Sequence, residues 1–194
     1  MLPDLPDLDA MLNPLDPASS EAAWRALLPL ARQHGLDAEL CLLTRIARAQ
    51  GMQGHFDEAQ ATLDDVESRA PGAGREVVVR MLVAEGSILR KSGLAEAAAA
   101  FFEDAFGIAT QEGFDELAID AAILLGEVLP PDPALEWLHV GIGVAERSTR
   151  PAARARLPSL LQRTEAAFLA RGDGDRAQAL RVRRDALHED DDAS

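Results

Sequence analysis

The chain has no tyrosine, and its aromatic share is only 4%. Valine and isoleucine are sparse and scattered, so no run reads as a strand of a sheet. One cysteine, Cys41, excludes an internal disulfide framework and a thiolate-rich metal site. No apolar run approaches the roughly 20 residues that a membrane span needs. The start, Met1-Leu2-Pro3-Asp4-Leu5-Pro6-Asp7, is acidic and broken by proline, the opposite of a secretory signal, so a cytoplasmic location is expected. Basic charge is also short. The net charge of −14 argues against general nucleic-acid binding, which needs a cationic footprint on the phosphates.

What the chain does have is alanine and leucine, good helix formers whose small and branched side chains suit close helix packing. Its 194 residues suffice for one domain or a short repeat array. The charge is unevenly spread. Residues 147–184 hold ten arginines against Glu165, Asp173 and Asp175, a net of +7, which leaves −21 on the remainder. Such a run is read first as a solvated, salt-bridged helical face. The sharper alternative is a surface for an acidic partner, the chain's own acidic ends included.

Residues 1–18 form an acidic, proline-rich arm, expected to be extended or disordered. Leu2, Leu5, Leu8, Met11, Leu12 and Leu15 recur along it, a pattern able to dock on an apolar groove in this chain or in a neighbour. Composition favours a loose tail. Helices are predicted over 19–34, 37–52, 56–70, 75–92, 94–112, 114–129, 134–148, 157–170 and 176–188. Pro151 is an alternative start for the eighth. The first helix is expected to start at about Ser19 or Ser20 with Ser19 as its cap, Trp24 is expected to cover one end of the array, and residues 189–194 read as an acidic, disordered tail.

The strongest signal is recurrence. Gly54-His55-Phe56-Asp57-Glu58-Ala59 is a tight turn feeding an amphipathic helix with Leu63 and Val66, closed by Pro71. A second version begins at Gly93, 39 residues on, and a third at Gly172. A period in the high thirties with two helices per unit is the mark of a helical solenoid, in which each pair buries its apolar face on the next. The fourth pair is the weakest match.

The run Gly54-His55-Phe56-Asp57-Glu58-Ala59…Leu63…Val66…Pro71 resembles the tetratricopeptide repeat (TPR), as does Gly86…Leu89…Gly93…Ala98…Phe102…Ala105. The segment 100–130 looks most like the extended TPRs of bacterial regulators and kinesin light chains. The resemblance covers about residues 37–188. It implies an all-α, right-handed helical-hairpin solenoid of eight or nine helices, whose concave groove, lined by the first helix of each pair, binds a peptide or another protein. Carried onto this chain, the groove candidates are Thr44, Arg45, Arg48 and Met52; then Arg80, Val83, Ser87, Arg90 and Lys91; then Glu116, Ile119, Asp120, Ile123 and Glu127. Arg80, Ser87 and Lys91 share one helical face, and groove arginines suit partner carboxylates. On the exposed reading of that face, Arg80→Glu is expected to spare stability. The clamp that some TPRs use relies on groove asparagines, and the sole asparagine here is Asn13.

Catalytic constellations are not evident. His34, His55, His139 and His188 are scattered without metal spacing, Cys41 sits among leucines, and Gly141-Ile142-Gly143 lacks the strand and third glycine of a dinucleotide site. No cofactor or metal is expected. The sequence reads as a non-enzymatic binding or scaffolding module. The alternative is a sensor that changes shape with a peptide or small effector, and a monomer or a homodimer through the array ends or the arm is expected.

Overall fold

The computed structural model describes residues 4–192, with side chains described up to Leu187. Among the described residues there is no strand. The helical segments are α1 (Pro17–His34), α2 (Leu36–Gln53), α3 (Phe56–Arg69), α4 (Arg75–Lys91), α5 (Ala95–Glu112), α6 (Asp115–Val128), α7 (Pro131–Arg147), the single turn α8 (Pro151–Arg154), α9 (Leu157–Ala170) and α10 (Gly174–Asp192). The all-α expectation and its pairing of neighbouring helices are met. The chain forms two compact units, residues 1–108 and 109–194, divided within α5.

Local chemistry explains the element ends. At Gly54 (φ 84°) the His55 N–H donates to the Gln50 carbonyl at 2.9 Å and the Gly54 N–H to Gly51 at 3.0 Å. At Gly93 (φ 83°) Leu94 donates to Leu89 at 2.9 Å and Gly93 to Arg90 at 3.1 Å. This is the Schellman closure, in which a left-handed residue lets two amides satisfy carbonyls left over at the helix end. A side chain is strained at that φ, so glycine is required. The same pair of bonds closes α5, from Phe114 to Ala109 and Gly113 to Thr110, and α9, from Asp173 to Phe168 and Gly172 to Leu169. The joints read from the sequence at Gly54, Gly93 and Gly172 are therefore one structure used repeatedly.

The expected cap of α1 is corrected. Asp16, with Pro17 at the first helical position, accepts the Ser19 amide at 3.2 Å, so the helix starts two residues earlier. Ser20 is drawn inward to hold the arm. At the other end, helical backbone continues through Asp192, where residues 189–194 were expected to be a tail; Ala193 and Ser194 lie outside the described residues, as does Leu2.

In the first unit α2 packs on α1, α3 and α4, and α3 also packs on α4. Two glycines set the approach distances. A Cβ on Gly51 would stand 2.6 Å from Ile88 Cγ1, and one on Gly86 would stand 2.5 Å from the Phe102 ring. Phe102 is fully buried, as are Ala98 and Ala105 on the same helix. In the second unit α7 packs on α6 and α9, and α9 on α10. Its core is Ile119, Ile142, Ala145, Ala153, Leu160 and Leu161. The two candidate starts near residue 150 are both used: α8 begins at Pro151, and α9 begins afresh at Leu157 with Pro158 in its first turn.

Candidate functional site

The arm is not loose. Pro6 and Pro14 keep it out of a helix, and the Asp7 carboxylate accepts the Asp9 and Ala10 amides at 3.0 and 3.2 Å, turning the chain there. Leu5, Leu8, Met11 and Leu12 then pack on a cluster formed by Trp24 and Ala31 of α1 with Leu42, Ile46 and Ala49 of α2. Two of its carbonyls are held by side chains. The Trp24 indole N–H donates to Leu8 O at 3.2 Å, and the Ser20 hydroxyl donates to Met11 O at 3.1 Å while accepting the Asn13 amide at 2.8 Å. Leu15 points outward, 96% exposed. The apolar gain from four leucine-class side chains is what overrides the tendency of such a segment to stay loose.

Asp9 is the polar centre of this contact. Arg45 of α2 donates through Nε to its Oδ1 at 2.9 Å, and Arg80 of α4 donates through Nη2 to its Oδ2 at 3.2 Å. Both arginines were groove candidates, on the first helices of successive pairs. Arg45 is buried and also donates to the Cys41 carbonyl at 2.9 Å; Arg80 is also paired with Glu76 at 2.7 Å. One carboxylate therefore bridges two helices.

Burial alone would raise the Asp9 pKa, but the Arg45 and Arg80 guanidiniums outweigh it and hold the carboxyl down at about 2, from an ordinary 3.8. A lowered folded-state pKa means that the ionised group favours the folded state. The stabilisation is complete above pH 3.8 and is lost as the pH falls through about 2. The Asp9 side chain is 46% exposed, so solvent screening limits the gain to under about 1 kcal/mol. Thermal melts of the wild type and Asp9→Asn should therefore differ by a few degrees at pH 6 and converge between pH 4 and pH 2. A gap at pH 2 as wide as that at pH 6 would remove the Asp9 charge as the cause.

Further along α4 the arm reaches Pro14, which with Met52, Arg90 and Lys91 lines an open cavity of about 260 Å³. Asp9 sits at Arg80 and Pro14 at Arg90 and Lys91, so the arm runs lengthwise along about three turns of α4. Met52 and Arg48 are partly buried, and Arg90 and Lys91 are exposed. Thr44, Val83 and Ser87 are buried, which corrects their place among contact residues. The Thr44 hydroxyl donates to Cys41 O at 2.9 Å and the Ser87 hydroxyl to Val83 O at 2.7 Å, so each is satisfied on its own helix and packs inward. Cys41 itself is buried, and that burial pushes its thiol up to about 11, away from nucleophilic use.

The second unit does not present its candidates as an open groove. Ile119 is fully buried in the core and Ile123 packs against it. Glu116 pairs with Arg150 at 3.6 Å, Asp120 with Arg156, and Glu127 with Arg163 at 2.8 Å. The partners lie 34 to 36 residues on, one period of the array, so acids on α6 meet arginines at the next first-helix position, from just before α8 to α9. On α10, Arg181 and Arg184 hold the buried Glu165 of α9 at 2.6 and 2.7 Å. The basic stretch is thus salt-bridged within its own unit, the simpler of the two readings. A shallow cavity of about 390 Å³ lies beside it, where Leu135, His139, Phe168, Arg176 and Leu180 meet and the Arg176 guanidinium stands 5.5 Å over the Phe168 ring.

Among the described residues no helix is long and apolar enough to cross a membrane, and no group of His, Cys, Asp and Glu is placed to hold a metal ion. No protein-family model matches the sequence, and no curated protein matches it. Among solved structures, the crystal structure of BtubC (BKLC) from P. vanneervenii aligns over 98% of this chain and 94% of its own, at 13% identity and a TM-score of 0.42. A superposition that loose carries no weight for function.

The sequence offered a docked arm as the alternative to a loose one, and what it did not single out are the residues that hold it. Asp9 was one of four aspartates among prolines, Trp24 read as a cover for the end of the array, and Ser20 as a position at the start of α1. The available signal was the leucine recurrence beside an acidic segment in a chain whose first-helix candidates carry arginines.

Proposed function

We propose that this chain is a TPR-like, non-enzymatic module that binds a protein or peptide segment on the face of α2 and α4. The observation that carries this reading is the Asp9 carboxylate bridging Arg45 and Arg80. It is an example, within the molecule, of an irregular acidic segment gripped by two first helices. The arm is recognised through this carboxylate on α2 and α4 and through two main-chain carbonyls held by Trp24 and Ser20 of the adjoining α1, a chemistry suited to an extended peptide. The TPR assignment draws support from the equal Schellman joints 39 residues apart and from α2 packing on α4 as well as on its own partner α3.

The charge-reversal test suggested by the sequence needs revision. Arg80 is only 14% exposed in its side chain and lies between Asp9 and Glu76, so Arg80→Glu would set three carboxylates together and cost stability. Arg80→Gln avoids that. Together with Arg45→Gln it should lower stability by roughly 1–2 kcal/mol, two charge-assisted hydrogen bonds discounted for exposure. Affinity purification from the native host with mass spectrometry should give a discrete set of proteins with the wild type. That set should be lost with the folded double variant, and an unchanged set would remove these arginines from the binding face.

A further inference from the structure

We infer that the arm is a built-in stand-in for the partner: the α2–α4 face takes an extended, acidic, leucine-bearing segment of another protein, and residues 4–16 occupy that face in competition with it. The inference rests on the binding reading above and specifies its partner chemistry.

Three observations support it. The first is the mode of contact. Apolar side chains at Leu5 and Leu8, three residues apart, enter the Trp24 cluster, and the residue after the second leucine supplies the carboxylate for Arg45 and Arg80. Met11 and Leu12 add to the same apolar contact, and the remaining hydrogen bonds are made by main-chain groups of the arm, so a chain with the same short pattern meets the same partners. The second is that the hold is partial. The arm is irregular, its central carboxylate is 46% exposed, and Leu15 contributes nothing. Segments with few buried contacts open at low free energy. The third is a mismatch at one end. Where the face offers the Lys91 ammonium beside a cavity of about 260 Å³, the arm presents the uncharged Pro14. A segment with a carboxylate at that register would complement Lys91 as Asp9 complements Arg80.

The physical consequence is a reduced apparent affinity in trans. A tethered segment acts at an effective concentration of about millimolar, and a face closed for about 90% of the time binds its partner tenfold more weakly than the open face.

The test uses the full chain and a fluorescein-labelled synthetic peptide with the sequence of residues 4–16. Peptide binding is followed by anisotropy, and circular dichroism checks the fold. Asp9→Lys, which turns the arm's anchor against Arg45 and Arg80, should bind the peptide at least about tenfold more tightly than the wild type. Adding Arg45→Gln and Arg80→Gln to Asp9→Lys should abolish that gain. A peptide with glutamate in place of Pro14 should bind severalfold more tightly than the parent peptide. Saturating peptide should also speed amide exchange of residues 4–16 in the wild type, read by mass spectrometry.

Equal affinity for wild type and Asp9→Lys, or no binding to either with the helical spectrum intact, overturns the inference while leaving the purification result with the double arginine variant to decide the broader reading. If Asp9→Lys fails to melt cooperatively, the exchange measurement decides: arm amides unchanged at saturating peptide overturn it. A concentration-dependent dimer of the wild type in which the arm is protected by a second copy also overturns it, in favour of exchange between identical chains.

Discussion

Phe102→Asp should leave the first unit without a cooperative thermal transition. Phe102 has no exposed surface and its ring fills the space beside Gly86, so an aspartate there loses the packing of a whole aromatic side chain and buries a carboxylate with no cation assigned to it. Truncating a buried phenylalanine costs about 3–5 kcal/mol, and an uncompensated polar group adds roughly 2 kcal/mol or more even when the carboxyl takes up a proton. A domain of this size has only about 5–15 kcal/mol to lose. The control is Phe102→Leu, which keeps the site apolar and should melt cooperatively at a lower temperature. Calorimetry with far-ultraviolet circular dichroism is the measurement. A cooperative transition for Phe102→Asp near that of the wild type would mean that the α4–α5 contact is dispensable.

Trp24→Ala should have the second-largest effect, and of a different kind. Trp24 is 1% exposed and touches three things at once: its own helix face, the Leu42–Ile46 side of α2, and the arm through its indole N–H. Truncation should cost about 3–5 kcal/mol from the lost area and the cavity left behind. The separate loss of the Leu8 hydrogen bond should free the arm. Amide exchange should therefore rise sharply over residues 4–16 in Trp24→Ala at temperatures where the helices are still formed. Trp24→Phe should keep most of the packing while losing the indole donor, so its arm should exchange faster at a smaller cost in melting temperature. Identical exchange in the wild type and both variants would mean that the arm is held elsewhere.

The fold was legible because its rules are local and repeated. Alternating glycine turns and apolar stripes place every helix within a few residues, and the Gly54, Gly93 and Gly172 joints follow from the left-handed φ that the Schellman closure demands. The site was half legible. Arg45 and Arg80 could be named because first-helix positions face the same way in successive pairs. Thr44, Val83, Ser87 and Ile119 were misplaced for a related reason: a helical face predicts direction, but what the next element covers is a tertiary fact. Ile119 is covered in the second unit's core by its own partner helix α7 together with α8 and with α9 of the fourth pair, the one whose repeat signal was weakest. The arm was legible only in its pattern. Prolines and aspartates argue for a loose segment, and the groove that reverses that outcome is assembled from residues up to 71 positions away, as in the Asp9–Arg80 pair.

The recurrence of one closure at Gly54 and Gly93 makes residues 55–93 a cassette. Each end presents the same two amide-to-carbonyl bonds and the same backbone twist, so the chain entering and leaving the cassette does so in equivalent geometry. An extra copy of those 39 residues would meet a matching joint on both sides and bring its own first helix to lie against its predecessor, as α4 lies on α2. The length of the face that α2 and α4 share is thus a countable property of this chain, adjustable in whole steps of one helix pair without inventing a new turn.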